Sequence, residues 1–145
     1  VGDLDLRGTQ INELPDNLSV GGDLDLEGTR LKRLPDNLSV GCYLNLEGTQ
    51  IKELPDNLSV GGDLYLRGTQ IKDLPDKLSC KMFKGLCKWT IRIDGDYIAI
   101  GCTKKRKTEW EEWFKGTEIF TTKRGTEEFE KIQNSFEMVK KFVIF

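Results

Sequence analysis

Val1–Val20 reads VGDLDLRGTQINELPDNLSV, and the chain then repeats it three times with small changes. Gly21–Val40 is GGDLDLEGTRLKRLPDNLSV, Gly41–Val60 is GCYLNLEGTQIKELPDNLSV and Gly61–Cys80 is GGDLYLRGTQIKDLPDKLSC. A fixed period of 20 residues marks an array of stacked structural units. Within one unit, Leu4 and Leu6 alternate with Asp3, Asp5 and Arg7, the pattern of a strand with one buried face. Gly8-Thr9 permits a bend and Ile11 turns back to the core. Leu14-Pro15-Asp16-Asn17 is a turn signal, since proline fixes φ and Asp and Asn tolerate tight local geometry. Leu18 and Val20 form a second short inward pair, and Gly21-Gly22 is the corner into the next unit. No helix of three turns fits between these corners, so the unit is a mostly β coil.

One coil cannot bury its leucines alone. Successive coils pair as parallel strands, roughly 4.8 Å apart, and bury a continuous ladder of Leu and Ile. Each inward aliphatic side chain contributes about 1.5–3 kcal/mol when fully buried, against the ordering entropy of a whole coil. That balance is close, so open ends of the stack are costly and should be covered.

The pattern L-x-L-x-G-T-x-I-x-x-L-P resembles the leucine-rich repeat family, in its short bacterial class of about 20 residues. Thr9, Thr29, Thr49 and Thr69 fall where that family places its Asn/Cys/Thr ladder residue. The match covers Val1–Cys80 and departs from the family where L-S-V-G-G-D-L-D-L replaces the opening L-x-x-L-x-L, which implies a flatter, more solenoid-like coil. The near-identical arrays are also similar to those of bacteriophage and prophage proteins to which no activity is attached.

The period stops at Lys81. All three Trp and all seven Phe lie beyond residue 80, and the charge reverses: residues 1–80 carry 8 basic and 14 acidic side chains, residues 81–145 carry 14 and 10. The sequence therefore divides into a leucine-rich β-solenoid at 1–80 and a small α+β domain at 81–145 that caps the last coil, where Leu64, Leu66, Ile71 and Leu74 would otherwise meet water. Lys88–Ile93 and Tyr97–Cys102 alternate as strands around Asp94-Gly95, a hairpin signal. Thr108-Glu109-Trp110-Glu111 reads as a capping box opening a helix through Phe114, ended by Gly116. Glu118–Lys123 is expected as a third strand. Thr126 caps a longer helix to Phe142, with Phe129, Ile132, Phe136, Val139 and Val143 on one face. This C-terminal pattern is also similar to segments of phage proteins.

There are no histidines, which excludes Ser-His-Asp and Cys-His nucleophiles, His metal ligands and an imidazole switch. Cys42, Cys80, Cys87 and Cys102 lack the C-x2-C pairs of a zinc site. They read as reduced small residues, with a Cys80–Cys87 disulfide as the alternative. No phosphate-loop, dinucleotide or nucleophile-elbow motif occurs, and no apolar stretch approaches the roughly 18 residues of a membrane span.

The outward strand positions form columns. One is Asp3, Asp23, Tyr43, Asp63; the next is Asp5, Asp25, Asn45, Tyr65; the third is Arg7, Glu27, Glu47, Arg67. They read either as a charged, solvated face or as a binding face, because these columns vary while the inward ones do not. In the binding reading, Tyr43 and Tyr65 amid carboxylates suit a basic protein surface. Aspartates alternating along a flat face do not wrap a calcium ion and lack a cleft to shift their pKa, so neither a metal nor catalysis is expected of them. Lys104, Lys105, Arg106 and Lys107 form one dense basic run, placed in a loop after the hairpin. It reads as solvated or as a phosphate contact. Trp110 and Trp113, three apart on a helix, read as core rather than base-stacking platforms.

The functional expectation is a non-enzymatic protein-interaction module without cofactors. In keeping with the phage resemblance, it would bind and inhibit a host protein, such as a defence protein, in the bacterial cytoplasm. The second expectation, from another class, is nucleic-acid or nucleotide binding through the basic C-terminal region. The chain opens on Val1 rather than Met, so its native start is expected to be missing; either residues before Val1 cover the first coil or two chains pair there as a homodimer.

Overall fold

The computed structural model describes residues 2–117 and 121–143. Residues 2–80 wind as a β-solenoid of four coils. Each of the first three coils contributes two short strands: Leu4–Asp5 (β1) and Ser19–Val20 (β2), Leu24–Asp25 (β3) and Ser39–Val40 (β4), Leu44–Asn45 (β5) and Ser59–Val60 (β6). The fourth supplies Asp63–Tyr65 (β7) and, at Ser79, a single parallel bridge to Ser59. Pairing is parallel throughout and steps by 20 residues, Leu4 to Leu24 to Leu44 to Leu64 on one side and Val20 to Val40 to Val60 on another.

That register follows from the inward side chains. Leu24, Leu26, Leu31, Leu38, Leu44, Leu46, Ile51 and Leu64 are all fully buried, and a one-residue slip would set leucine against aspartate. The conserved threonines close the bend that follows each strand. The Thr29 and Thr49 hydroxyls donate to the Leu26 and Leu46 carbonyls at 2.8 Å, inside the coil.

Asparagines stack at another corner, where the Asn37 amide donates to Asn17 at 3.0 Å and that of Asn57 donates to Asn37 at 3.1 Å. Asn17 and Asn37 hold φ of 59° and 58°, the left-handed region that asparagine tolerates better than most residues. Asn37→Ala is therefore expected to cost about 1–2 kcal/mol. Asn37→Gly should recover most of that loss in urea denaturation, although it too breaks the amide ladder.

The composition changes at residue 80, but the sheet continues. Met82–Lys84 (β8) pairs parallel to β7, then Ile91–Asp94 (β9), Tyr97–Ile100 (β10) and Thr103–Arg106 (β11) add antiparallel strands. The result is one eight-stranded sheet, β1-β3-β5-β7-β8-β9-β10-β11, beside a three-stranded one, β2-β4-β6. Phe83 sits opposite Leu64 and Ile91 opposite Phe83, so the aliphatic ladder passes without a gap into the C-terminal core. Two helices follow, Lys107–Lys115 (α1) and Glu127–Val139 (α2), with a 3-10 turn at Lys140–Phe142. The Phe142 ring stacks on Phe83 at 5.9 Å. Lys141 donates to the Leu74 carbonyl and pairs with Asp76 at 3.0 Å, tying this end of the chain to the fourth coil. Leu64, Leu66 and Leu74 are accordingly buried, whereas Leu4, Leu6 and Leu14 of the first coil are only partly so.

Several local expectations need correction. A third strand follows the hairpin at Thr103–Arg106, in place of the expected loop. Of the strand expected at Glu118–Lys123, residues 118–120 lie outside the described residues, and 121–123 form no strand. The basic run is thus largely strand rather than loop. Helix α1 starts at Lys107 and its cap is Arg106, whose backbone N–H donates to the Glu109 carboxylate at 2.7 Å, because β11 runs straight into the helix. Thr126 does cap α2, accepting from the Phe129 N–H at 3.3 Å, and Phe129, Ile132, Phe136, Val139 and Val143 are buried as the spacing predicts. Trp110 and Trp113 are core residues.

Candidate functional site

The solvent face of the eight-stranded sheet gathers most of the residues singled out in the sequence. Strand pairing extends the first column beyond the solenoid. Asp63 lies opposite Met82, Met82 opposite Arg92, Arg92 opposite Ala99 and Ala99 opposite Lys104. The second column ends with Tyr65 opposite Lys84. Residues paired across strands share a face, so the aspartates of the coils and Lys104 of the basic run stand on one surface. Seven inter-strand steps of roughly 4.8 Å separate its ends, about 34 Å in all. Asp3, Asp5, Asp23 and Glu27 make one end acidic, and Lys84, Arg92, Lys104 and Arg106 make the other basic.

Much of the acidic end serves the fold. Asp3 accepts from the Asp23 N–H at 2.9 Å and Asp23 from the Tyr43 N–H at 3.1 Å, each reaching the coil above. Asp5, Asp25 and Asn45 accept the N–H two residues on, at 3.1, 3.1 and 3.0 Å, and so close the strand end. Asp25 and Asn45 are consequently buried rather than displayed. Arg7 clasps Asp5 through bonds of 3.0 and 2.7 Å and approaches Asp25 at 3.6 Å. The Arg7 guanidinium holds the Asp5 carboxyl below the usual carboxylate range.

The middle of the face is aromatic. Tyr43 and Tyr65 are half-buried and meet edge to face with centroids 5.5 Å apart. Lys84 donates to the Tyr65 hydroxyl at 3.1 Å and pairs with Asp63 at 3.4 Å, which locks the second ring in place. Burial, followed by the Asp23 and Asp25 carboxylates, pushes the Tyr43 phenol above its ordinary pKa, so it stays a hydrogen-bond donor. Arg67, at the end of the third column, is exposed and makes no ion pair with a described residue.

The tetrad Lys104–Lys107 does not form one patch. Strand alternation sends Lys104 and Arg106 to the solvent face, where they flank Tyr97 at 4.7 and 5.6 Å from its ring and Lys104 pairs with Asp94 at 2.7 Å. Lys105 turns to the opposite side, and Lys107 donates to the Val143 carbonyl at 3.0 Å. Lys84, Arg92 and Tyr97 are face residues that sequence reasoning missed. Alternation in KWTIRI could have turned Arg92 outward, but only the pairing of β8 with β7 joins it to the aspartate columns.

All four cysteines are free, so Cys80 and Cys87 do not pair. Cys42 and Cys102 are exposed, while burial pushes the Cys80 thiol up to about 12 and raises that of Cys87. A thiol reagent at pH 8 is expected to label Cys42 and Cys102 rapidly and the half-buried Cys80 and Cys87 more slowly. The Cys80 thiol ionises at 9.0 when free and at about 12 when folded, so its contribution to stability is complete below pH 9.0 and is lost as pH rises towards 12. Unfolding titrations across that window, with Cys80→Ser as the reference, measure it.

Among the described residues no group of three His, Cys, Asp or Glu side chains is placed to hold a metal ion, and no helix is long and apolar enough to cross a membrane. Comparison of the chain with protein-family models, with curated proteins and with solved structures finds no match.

Proposed function

We propose that the protein is a non-enzymatic interaction module that binds a protein partner on the solvent face of its eight-stranded sheet. The observation carrying this reading is the register that sets Tyr43 and Tyr65 side by side at mid-face, between an acidic and a basic end. Rigid, half-buried aromatics ringed by charge are the usual anchors of protein interfaces. A solenoid presents them on stiff backbone, which lowers the entropic cost of docking. The opposed ends fix the partner's orientation and speed its approach.

The resemblance of the repeats to leucine-rich arrays of phage proteins supports a narrower version, in which a phage-encoded chain binds and inhibits a host protein in the bacterial cytoplasm. Nucleic-acid binding through the basic run has less support, because only two of its four cations share a face and both lie over Tyr97.

The test is affinity capture from bacterial lysate with the full chain, followed by binding measurements on the purified partner. Tyr43→Ala and Tyr65→Ala are each expected to weaken the complex about thirtyfold or more, since an anchor residue contributes about 2 kcal/mol or more. Replacing Lys104 and Arg106 by Gln should mainly slow association. A partner held equally well by the double tyrosine variant, or retention of nucleic acid alone, contradicts the reading.

A further inference from the structure

A second surface lies where the fourth coil meets α2. An open groove of about 660 Å³ runs between Arg67, the loop at residues 85–90 and the first turns of α2, a size within the range of roughly 300–1,000 Å³ typical of small-molecule sites. A close backbone approach forms it. Gly85 has φ +90°, and a Cβ there would fall well inside 3.0 Å of the Arg67 backbone nitrogen. The loop therefore lies directly on the coil, and no side chain at position 85 fills the floor.

Charge in the groove runs against that of the chain. Arg67, Lys84, Lys88 and Lys131 line it against two carboxylates, Glu47 and Glu128, in a protein of net charge −2. Arg67 has no ion-pair partner among the described residues. Lys88 pairs with Glu128 at 3.1 Å and Lys131 with Glu127 at 3.2 Å, but these pairs are exposed and therefore weak. A stronger anion can draw both ammonium groups away. Arg67, Lys88 and Lys131 come from three separate segments, an arrangement suited to an anion with oxygens pointing several ways, and a guanidinium matches phosphate oxygens in pairs. Trp89 and Leu86 add an apolar wall. The Trp89 indole N–H is buried with no hydrogen-bond partner among the described residues.

We infer that this groove binds a small organic phosphate with a flat apolar part, of the nucleoside monophosphate class. The phosphate sits on Arg67, Lys88 and Lys131 and the flat part lies against Trp89 and Leu86. The site borders the tyrosine face and shares Lys84 with it, but contains neither tyrosine and does not depend on a protein partner.

The full chain is titrated with adenosine monophosphate, uridine monophosphate, inorganic phosphate and adenosine, followed by tryptophan fluorescence and calorimetry. Trp110 and Trp113 are enclosed in the core, so Trp89 carries the fluorescence response. A nucleoside monophosphate should saturate and bind about tenfold more tightly than inorganic phosphate or adenosine. Arg67→Gln and Lys131→Gln, both at exposed positions, should each weaken it about tenfold, the usual loss for one charged hydrogen bond. Tyr43→Ala should leave it unchanged, which keeps this result distinct from that of the partner experiment. No saturation by either monophosphate, equal binding of inorganic phosphate or adenosine, or full affinity in Arg67→Gln would overturn the inference.

Discussion

Gly61→Ala is expected to destabilise the protein by about 3 kcal/mol, the upper end of the usual cost of overpacking. A Cβ on Gly61 would press on the Gly41 carbonyl oxygen of the coil below, far inside 3.0 Å, and would lie 3.0 Å from its carbon. Those are backbone atoms, held by the Gly61 N–H to Val40 carbonyl bond at 2.9 Å, so nothing there can rotate away. Gly41→Ala meets the Gly21 carbonyl in the same way. The neighbouring corner position behaves differently. A Cβ on Gly22 lies 3.1 Å from the Gly2 carbonyl carbon and clashes mainly with the Asp3 carboxylate, a side-chain end that can rotate away at the loss of its bond to the Asp23 N–H, and the third coil already carries Cys42 at that position. Gly22→Ala is accordingly expected to cost under about 1 kcal/mol. Urea denaturation of the pair, one residue apart in the repeat, separates coil-on-coil contact from a general dislike of larger residues at corners.

Trp110→Ala should cost more, about 3–5 kcal/mol. Its side chain is fully buried, with ring centroids 5.5 Å from Trp113, 5.8 Å from Phe114 and 6.4 Å from Phe136, so it joins both helices. Its indole N–H donates to the Ile98 carbonyl at 2.8 Å and so ties α1 to the hairpin. Removal leaves a cavity and an unpaired buried carbonyl together. Trp110→Phe keeps a ring and loses the bond, and should account for about 1–3 kcal/mol of the total. If Trp110→Phe proves as damaging as Trp110→Ala, the hydrogen bond outweighs the packing assigned to the cluster. If both are mild, the cluster does not hold the helices to the sheet.

The repeat was readable because one unit carries both of its signals, period-2 leucines and a fixed corner, four times over. Its 20-residue step then determines the register, and with it the columns of Asp3, Asp23, Tyr43 and Asp63. What those aspartates do was not readable. Side chains that accept a backbone N–H from the next coil look in sequence like a charged surface, and only the pairing shows that Asp25 is buried. The basic run misled for a related reason. The consecutive cations Lys104, Lys105 and Arg106 of a strand point alternately to two sides, and nothing local says that residues 103–106 pair with Tyr97–Ile100. The joining of β8 to β7 was likewise hidden, because KMFK carries no trace of the repeat. That join places Lys84 and Arg92 in line with the tyrosines.

Coils hydrogen-bonded at a 20-residue step form one sheet that continues past the last repeat. Scalar couplings across hydrogen bonds, measured by NMR on the labelled full chain, test this most directly. The Leu24 amide should couple to the Tyr43 carbonyl, Leu46 to Tyr65 and Leu66 to Lys84, bonds of 2.9, 3.0 and 2.7 Å. Couplings confined within single coils, or a Leu66 amide exchanging freely with water, would contradict it.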